Sequence, residues 1–131
     1  MRILIADDDS EDLEIFHDAI AEIDGAIECI SVRNGDEAIQ LLSTTQVDLP
    51  DFIFLDVNMP RMNGKECLVE IKKIEALRST PVVMYSSSSD QDERDAYLKM
   101  GAHEYLVKGW DFKELMRSLS SIIGKKDKQI P

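Results

Sequence analysis

Five short runs rich in β-branched and aromatic residues recur along the chain, and each is followed by a longer stretch with helical spacing. The runs are Ile3–Ala6, Ile27–Val32, Phe52–Leu55, Val82–Tyr85 and Tyr105–Val107. Their length and composition are those of β-strands. Between them, Leu13, Phe16, Ile20 and Ile23 form one apolar stripe, Ala38, Leu41 and Leu42 a second, and Leu68, Ile71 and Ile74 a third. The last stretch sets Phe112, Leu115, Met116, Leu119, Ile122 and Ile123 on one helical face. The fourth, Asp90 to Met100, is polar and weakly striped, so it is expected to pack least firmly. Strict alternation of strand and helix makes each strand return parallel to the one before, with the helices covering both faces of the sheet. Runs such as Phe52-Ile53-Phe54-Leu55 have no polar alternation, as suits strands covered on both sides. The expected fold class is α/β, a five-stranded parallel doubly wound sheet with five helices. The order 2-1-3-4-5 is one that such sheets commonly take.

Local signals mark the boundaries. Asn63 with Glu66, Ser89 with Asp92, and Asp111 with Glu114 have the cap-x-x-acid spacing of a helix start. Gly101 and Gly124 stand where C-terminal caps belong, and Pro81 opens a strand. One domain over residues 1–124 is expected, with a short polar tail over 125–131.

Charge narrows the range of partners. Twenty-six acidic residues against 15 basic ones leave a net charge of −11. Such a surface repels nucleic-acid phosphates and anionic membranes, so direct DNA binding and membrane association are not expected. The basic cluster Lys125, Lys126 and Lys128 reads as a solvated end. Cys29 and Cys67 lack metal or redox spacing and sit in apolar segments, which suits free thiols in a reducing compartment. The first apolar run is too short for a signal peptide or a membrane span, so a cytoplasmic location is expected.

Ligands of doubly wound sheets bind beyond the carboxyl ends of the strands. Asp7, Asp8 and Asp9 come after the first strand, Asp56 after the third, Ser86 and Ser87 after the fourth, and Lys108 after the fifth. Carboxylates brought this close raise one another's pKa unless a cation compensates them. Mg²⁺ suits such a site, being a hard ion that takes oxygen ligands and keeps several waters. Asp8 and Asp56 can supply carboxylate oxygens and Asn58 its backbone carbonyl, while Asp7 can bind through a water or orient Asp8. Asp56 can then act as nucleophile and form an aspartyl phosphate. Lys108 and the Ser86 hydroxyl are placed to receive the negative charge of the phosphoryl oxygens. Asp9 reads as a cap of the first helix or as a solvent-exposed acid rather than as a metal ligand. His17 and His103 have no partner at metal-ligand spacing, and Tyr85 and Trp110 read as packing residues.

Four segments, IADDDS, FLDVNMPRMNG, PVVMYSS and GAHEYLVKGW, resemble in this order the receiver domains of bacterial response regulators. The likeness runs from Ile3 to Ile123. It implies a flavodoxin/CheY-like fold and a phosphorylation switch in a two-component system, with Asp56 as phosphoacceptor. By the same likeness Asp7 and Asp8 form the acidic metal pocket, and Lys108 contacts the phosphoryl group. Asn58 gives its carbonyl to the metal, and its side chain and Ser88 occupy positions that tune dephosphorylation. Ser86 and Tyr105 form the switch pair, and helix 4, strand 5 and helix 5 form the output surface. The segments RNGDEA and TPVVMYSS also resemble single-domain receivers associated with bacterial phytochromes. A sensor histidine kinase or a histidine phosphotransfer protein is the implied donor, and the signal leaves through a protein partner or a homodimer on the output surface. The domain is then no enzyme in the ordinary sense, because it catalyses only its own phosphorylation and slow dephosphorylation. In one place the chain departs from the family: Gly109 stands where proline usually follows the lysine through a cis bond. A cis bond before a non-proline residue costs about 2.5–4 kcal/mol, so a trans bond and a reshaped loop before Trp110 are expected.

Three other readings compete. A phosphorelay shuttle passes its phosphoryl group on to a histidine protein. A pseudo-receiver keeps the fold without phosphorylation. A phosphatase of the haloacid dehalogenase type uses Asp7 as nucleophile with Asp9 as second acid, which leaves Asp56 without a role.

Overall fold

The computed structural model describes residues 1–44, 48–109 and 111–128, the last four of these by their backbone. Five strands alternate with five helices: β1 (Arg2–Ala6), α1 (Ser10–Ile23), β2 (Glu28–Val32), α2 (Gly35–Thr44), β3 (Phe52–Asp56), α3 (Gly64–Lys73), β4 (Val82–Ser86), α4 (Gln91–Lys99), β5 (Glu104–Val107) and α5 (Phe112–Lys128). A short 3₁₀ turn, Glu75–Leu77, comes after α3. The sheet is wholly parallel in the order β2-β1-β3-β4-β5, as expected.

The pleat divides the core in two. Ile3, Ile5, Phe52, Phe54, Val83, Tyr85 and Leu106 turn to one face and pack against α1 and α5 through Phe16, Ile20, Leu119 and Ile122. Leu4, Ala6, Ile53, Leu55, Val82 and Met84 turn to the other, against Ala38 and Leu42 of α2, Leu68 and Ile71 of α3, and Tyr97 of α4. All five residues of β3 are buried, which accounts for its unbroken apolar run. In α4 Tyr97 is the buried residue, in keeping with that segment's weak stripe.

Several boundary signals hold. Asp9 caps α1, accepting from the N–H groups of Glu11 and Asp12. Asn63 and Glu66 form a reciprocal capping box on α3 at 2.9 and 3.2 Å. Asn63→Ala should therefore lower stability by about 1 kcal/mol, seen as a lower urea midpoint at unchanged slope. Asp111 accepts from the Lys113 N–H at 2.9 Å at the start of α5. Gly101, just past α4, has φ +104°, a conformation that glycine adopts freely.

Three expectations need correction. The cap of α4 is Asp90, which accepts from the Asp92 N–H at 2.9 Å, and not Ser89. The serine run obscures the register, and a carboxylate at the helix start also meets the positive end of the dipole. Gly124 does not end α5, which continues to Lys128. A glycine inside a helix costs only about 1 kcal/mol, too little to stop a helix anchored by a long apolar face. Phe112 is 40% exposed rather than part of the buried face, because it lies in the opening turn, ahead of where α5 meets the sheet. Among the described residues there is no cis peptide bond, so Lys108 leads into Gly109 through a trans bond as expected. Trp110 lies outside the described residues. Cys67 is buried and Cys29 half-buried, and burial pushes both thiols up to about 12, which leaves them protonated at neutral pH.

Candidate functional site

Strand register sets the site. Ala6 lies beside Leu55, Asp56 beside Tyr85, and Ser86 beside Val107. The residues that end these strands or come directly after them, Asp7, Asp56, Ser86 and Lys108, therefore share one carboxyl edge. The main chain fixes two of them further. The Asp7 N–H donates to the Val32 carbonyl at 3.0 Å, and the Lys108 N–H donates to the Ser86 carbonyl at 2.6 Å.

At that edge one carboxylate oxygen from each of Asp7, Asp8 and Asp56 falls within 4.8 Å of the others. Asp7 is fully buried; one of its oxygens accepts from the Asp9 N–H at 3.0 Å and the other from the Lys108 ammonium at 3.0 Å. Asp56 is 6% exposed, and its Oδ1 lies 3.3 Å from Lys108 Nζ and 3.4 Å from the Asn58 N–H. Lys108 Nζ also meets Asp12 of α1 at 2.8 Å and sits 5.1 Å from the centre of the Tyr85 ring. An open pocket above these groups is lined by Asp8, Asp9, Asp12, Asp56, Asn58, Ser87 and Lys108.

This crowding sets the protonation. Burial first, and then the neighbouring charge of Asp7, raise the Asp56 carboxyl from 3.8 to about 7, with Lys108 pulling the other way. Burial lowers the Lys108 pKa, yet its hydrogen bonds to Asp12 and Asp7 outweigh this and hold it above the usual lysine value. A carboxylate held partly protonated beside two other acids is a site short of positive charge. Its donors are hard oxygens on a cluster small enough to close on one ion, so the residues fit a small divalent cation of the Mg²⁺ type.

The expected switch residues form a chain of contacts. Ser86 is 2% exposed, and its hydroxyl oxygen accepts from the Ser88 N–H at 3.1 Å. The Tyr105 hydroxyl donates to the Ser88 carbonyl at 2.9 Å, and its ring lies 6.1 Å from that of Tyr97 in α4. Two site residues escape a reading of the sequence. Asp12 looks like an ordinary first-turn acid of a helix, and its partner Lys108 lies 96 residues away. Tyr85 has strand composition, and its place under the ammonium comes only from the register.

A parallel doubly wound sheet thus carries an acidic triad and a lysine together at its carboxyl edge. The chain matches the model of the response regulator receiver domain over residues 3–120, and it belongs to that family. Its relatives include CpxR, a transcriptional regulatory protein of Escherichia coli K12, 31% identical over 93% of this chain and 49% of the relative. Another is the probable C4-dicarboxylate response regulator DctR of Bacillus subtilis, 29% identical over 90% of this chain and 50% of the relative. The chain spans about half the length of these curated relatives. Among solved structures, the phosphorylated cyanobacterial phytochrome response regulator RcpA aligns at TM-score 0.82 and 29% identity, covering 92% of this chain and 89% of that one. The Mn(2+)-bound form of response regulator Rcp1 aligns at 0.80 and 28%, covering 92% and 90%.

Proposed function

We propose that the chain is a two-component phosphorylation switch in which Asp56 takes a phosphoryl group from a histidine kinase or a histidine phosphotransfer protein. The observation that carries this reading is the convergence of Asp56, Asp7, Asp8 and Lys108 on one edge, with the Asp56 carboxyl held near neutrality. An Asp56 oxygen attacks phosphorus, the bond from phosphorus to the donor histidine nitrogen breaks, and that nitrogen leaves with its electron pair. Asp7, Asp8, Asp56 and the Asn58 carbonyl would hold Mg²⁺, whose chemistry is to neutralise charge on the transferring oxygens. Lys108 and the Ser86 hydroxyl receive the remaining negative charge. As Ser86 moves to the phosphoryl group it gives up the Ser88 N–H, which loosens the bond between Ser88 and Tyr105 and carries the change to the α4–β5–α5 face. That face then binds a protein target or a second copy.

A groove between α1 and α5, lined in part by Asp12, Ile15, Lys108, Phe112 and Leu115, shares Asp12, Ser87 and Lys108 with the acidic pocket. Ile15 and Phe112 in this groove are 44% and 40% exposed, an apolar surface that a protein donor could cover. The phosphatase reading is weaker, because Asp9 is engaged in capping α1. The pseudo-receiver reading is weaker because no acid of the cluster has been lost. Net charge argues against direct DNA binding by this chain, and no helix among the described residues is long and apolar enough to cross a membrane. We place the switch in the cytoplasm, with a receiver unit that extends past residue 124, because α5 runs through Gly124 to Lys128 instead of ending before a tail.

Incubation with acetyl phosphate and Mg²⁺ tests it by intact mass and peptide mapping. One phosphoryl group should appear, on Asp56, and only with the metal present. No label on the wild-type protein would favour a pseudo-receiver, and a label on Asp7 would favour the phosphatase.

A further inference from the structure

Lys108 is shared among three carboxylates, and the one it holds most closely is not in the metal cluster. Its ammonium lies 2.8 Å from Asp12, 3.0 Å from Asp7 and 3.3 Å from Asp56. An ammonium has three hydrogens, so each can be occupied in this arrangement. A phosphoryl oxygen on Asp56 can gain Lys108 only if one of these bonds yields.

We propose that Asp12 is a positioning residue that restrains Lys108 in the resting site and so slows phosphorylation of Asp56. The proposal rests on Asp56 being the phosphoacceptor. Asp7 is fully buried, so breaking its bond would strand a charge away from water. Asp12 has 31% of its side chain exposed, and water can take over its carboxylate when the lysine leaves. Asp12 is therefore the partner that lets go. Its charge also lies at the pocket mouth with Asp8 and Asp9, where it repels an arriving anion. Both effects act on the same step in the same direction: removing the carboxylate frees Lys108 and lowers the barrier to an anionic donor.

The decisive comparison uses the full chain as wild type, Asp12→Asn and Asp12→Glu. Initial rates are followed by intact mass in Mg²⁺ with two donors, acetyl phosphate, a dianion near neutral pH, and phosphoramidate, which carries less net charge. Asp12→Asn should speed uptake from limiting acetyl phosphate about three- to tenfold, and uptake from phosphoramidate by clearly less. Asp12→Glu, which keeps the carboxylate, should stay within about twofold of the wild type. Release of Lys108 speeds both donors, and the lost repulsion at the pocket mouth adds a further gain for acetyl phosphate. In the unphosphorylated protein, the ¹⁵N signal of the Lys108 ammonium should lose its protection from exchange in Asp12→Asn and keep it in Asp12→Glu. Equal or slower uptake by Asp12→Asn from both donors, or unchanged ammonium signals, would overturn the proposal. A wild-type protein that takes no label on Asp56 would instead remove the phosphoacceptor reading and this inference with it.

Discussion

Asp56→Asn should abolish phosphoryl uptake and, at the same time, make the metal-free protein more stable at pH 8. The first effect comes from loss of the attacking oxygen. The second comes from the protonation of the site. Burial and Asp7 push the Asp56 carboxyl from 3.8 up to about 7, so between about pH 4 and pH 7 the folded protein holds a proton that the unfolded chain has released. Stability then falls as pH rises through that window and levels off above it, because the folded state binds more protons than the unfolded state. Asn keeps the shape without the charge and removes this penalty. One pKa unit corresponds to 1.36 kcal/mol, and with the contact to pocket water taken into account the gain at pH 8 should be about 1–3 kcal/mol. For a chain of this size that is a rise in melting temperature of about 3–10 °C. The gap between variant and wild type should narrow toward pH 4 and close below about pH 3, where the wild-type carboxyl is protonated in both states. If the folded acidic cluster holds Mg²⁺ as proposed, the ion should raise the melting temperature of the wild type more than that of the variant. Urea titrations at pH 5 and pH 8 decide the matter. A variant no more stable than wild type at pH 8 would mean that Asp56 is not charged against its surroundings.

Much of this is legible in the sequence because it rests on local pattern. The β-branched runs and helical stripes specify the alternation, and alternation specifies a parallel sheet whose carboxyl edge collects the residues just past each strand. Asp7, Asp8, Asp56, Ser86 and Lys108 are found that way. Contact between distant segments is not carried by the pattern. Asp12 and Tyr85 meet Lys108 only because α1 packs beside α5 and β4 lies beside β5. The cap of α4 sits one residue away from its expected place because several neighbouring side chains in the serine run can cap, and only the backbone path selects Asp90. Gly124 reads as a stop because glycine is a frequent terminator, whereas the apolar face of α5 outweighs its local cost. Phe112 has the right spacing for the core but lies where the helix has not yet reached the sheet.

A further constraint lies behind Asp56, where α3 begins against the end of β3. The Gly64 N–H donates to the Val57 carbonyl at 3.0 Å. A Cβ at Gly64 would lie 2.5 Å from the Asp56 carbonyl oxygen and 2.9 Å from Val57 Cα. Both are backbone atoms that no rotamer change can move, so Gly64→Ala must displace the start of α3 or the end of β3. Overpacking of this kind costs about 1–3 kcal/mol, and the better helix propensity of alanine recovers less than about 1 kcal/mol. The melting temperature should fall by several degrees. The larger effect should be on chemistry, because the displaced segment carries Asp56, the proposed phosphoacceptor, and a shift of about 1 Å at a reacting group can cost a hundredfold in rate. Gly109→Ala provides the contrast, since a Cβ there meets nothing within 4 Å although the residue adjoins Lys108. Uptake from acetyl phosphate should drop about ten- to hundredfold in Gly64→Ala and change little in Gly109→Ala. If Gly64→Ala melts and phosphorylates like the wild type, the close approach of α3 to β3 does not position Asp56, and the site tolerates more backbone movement than its packing implies.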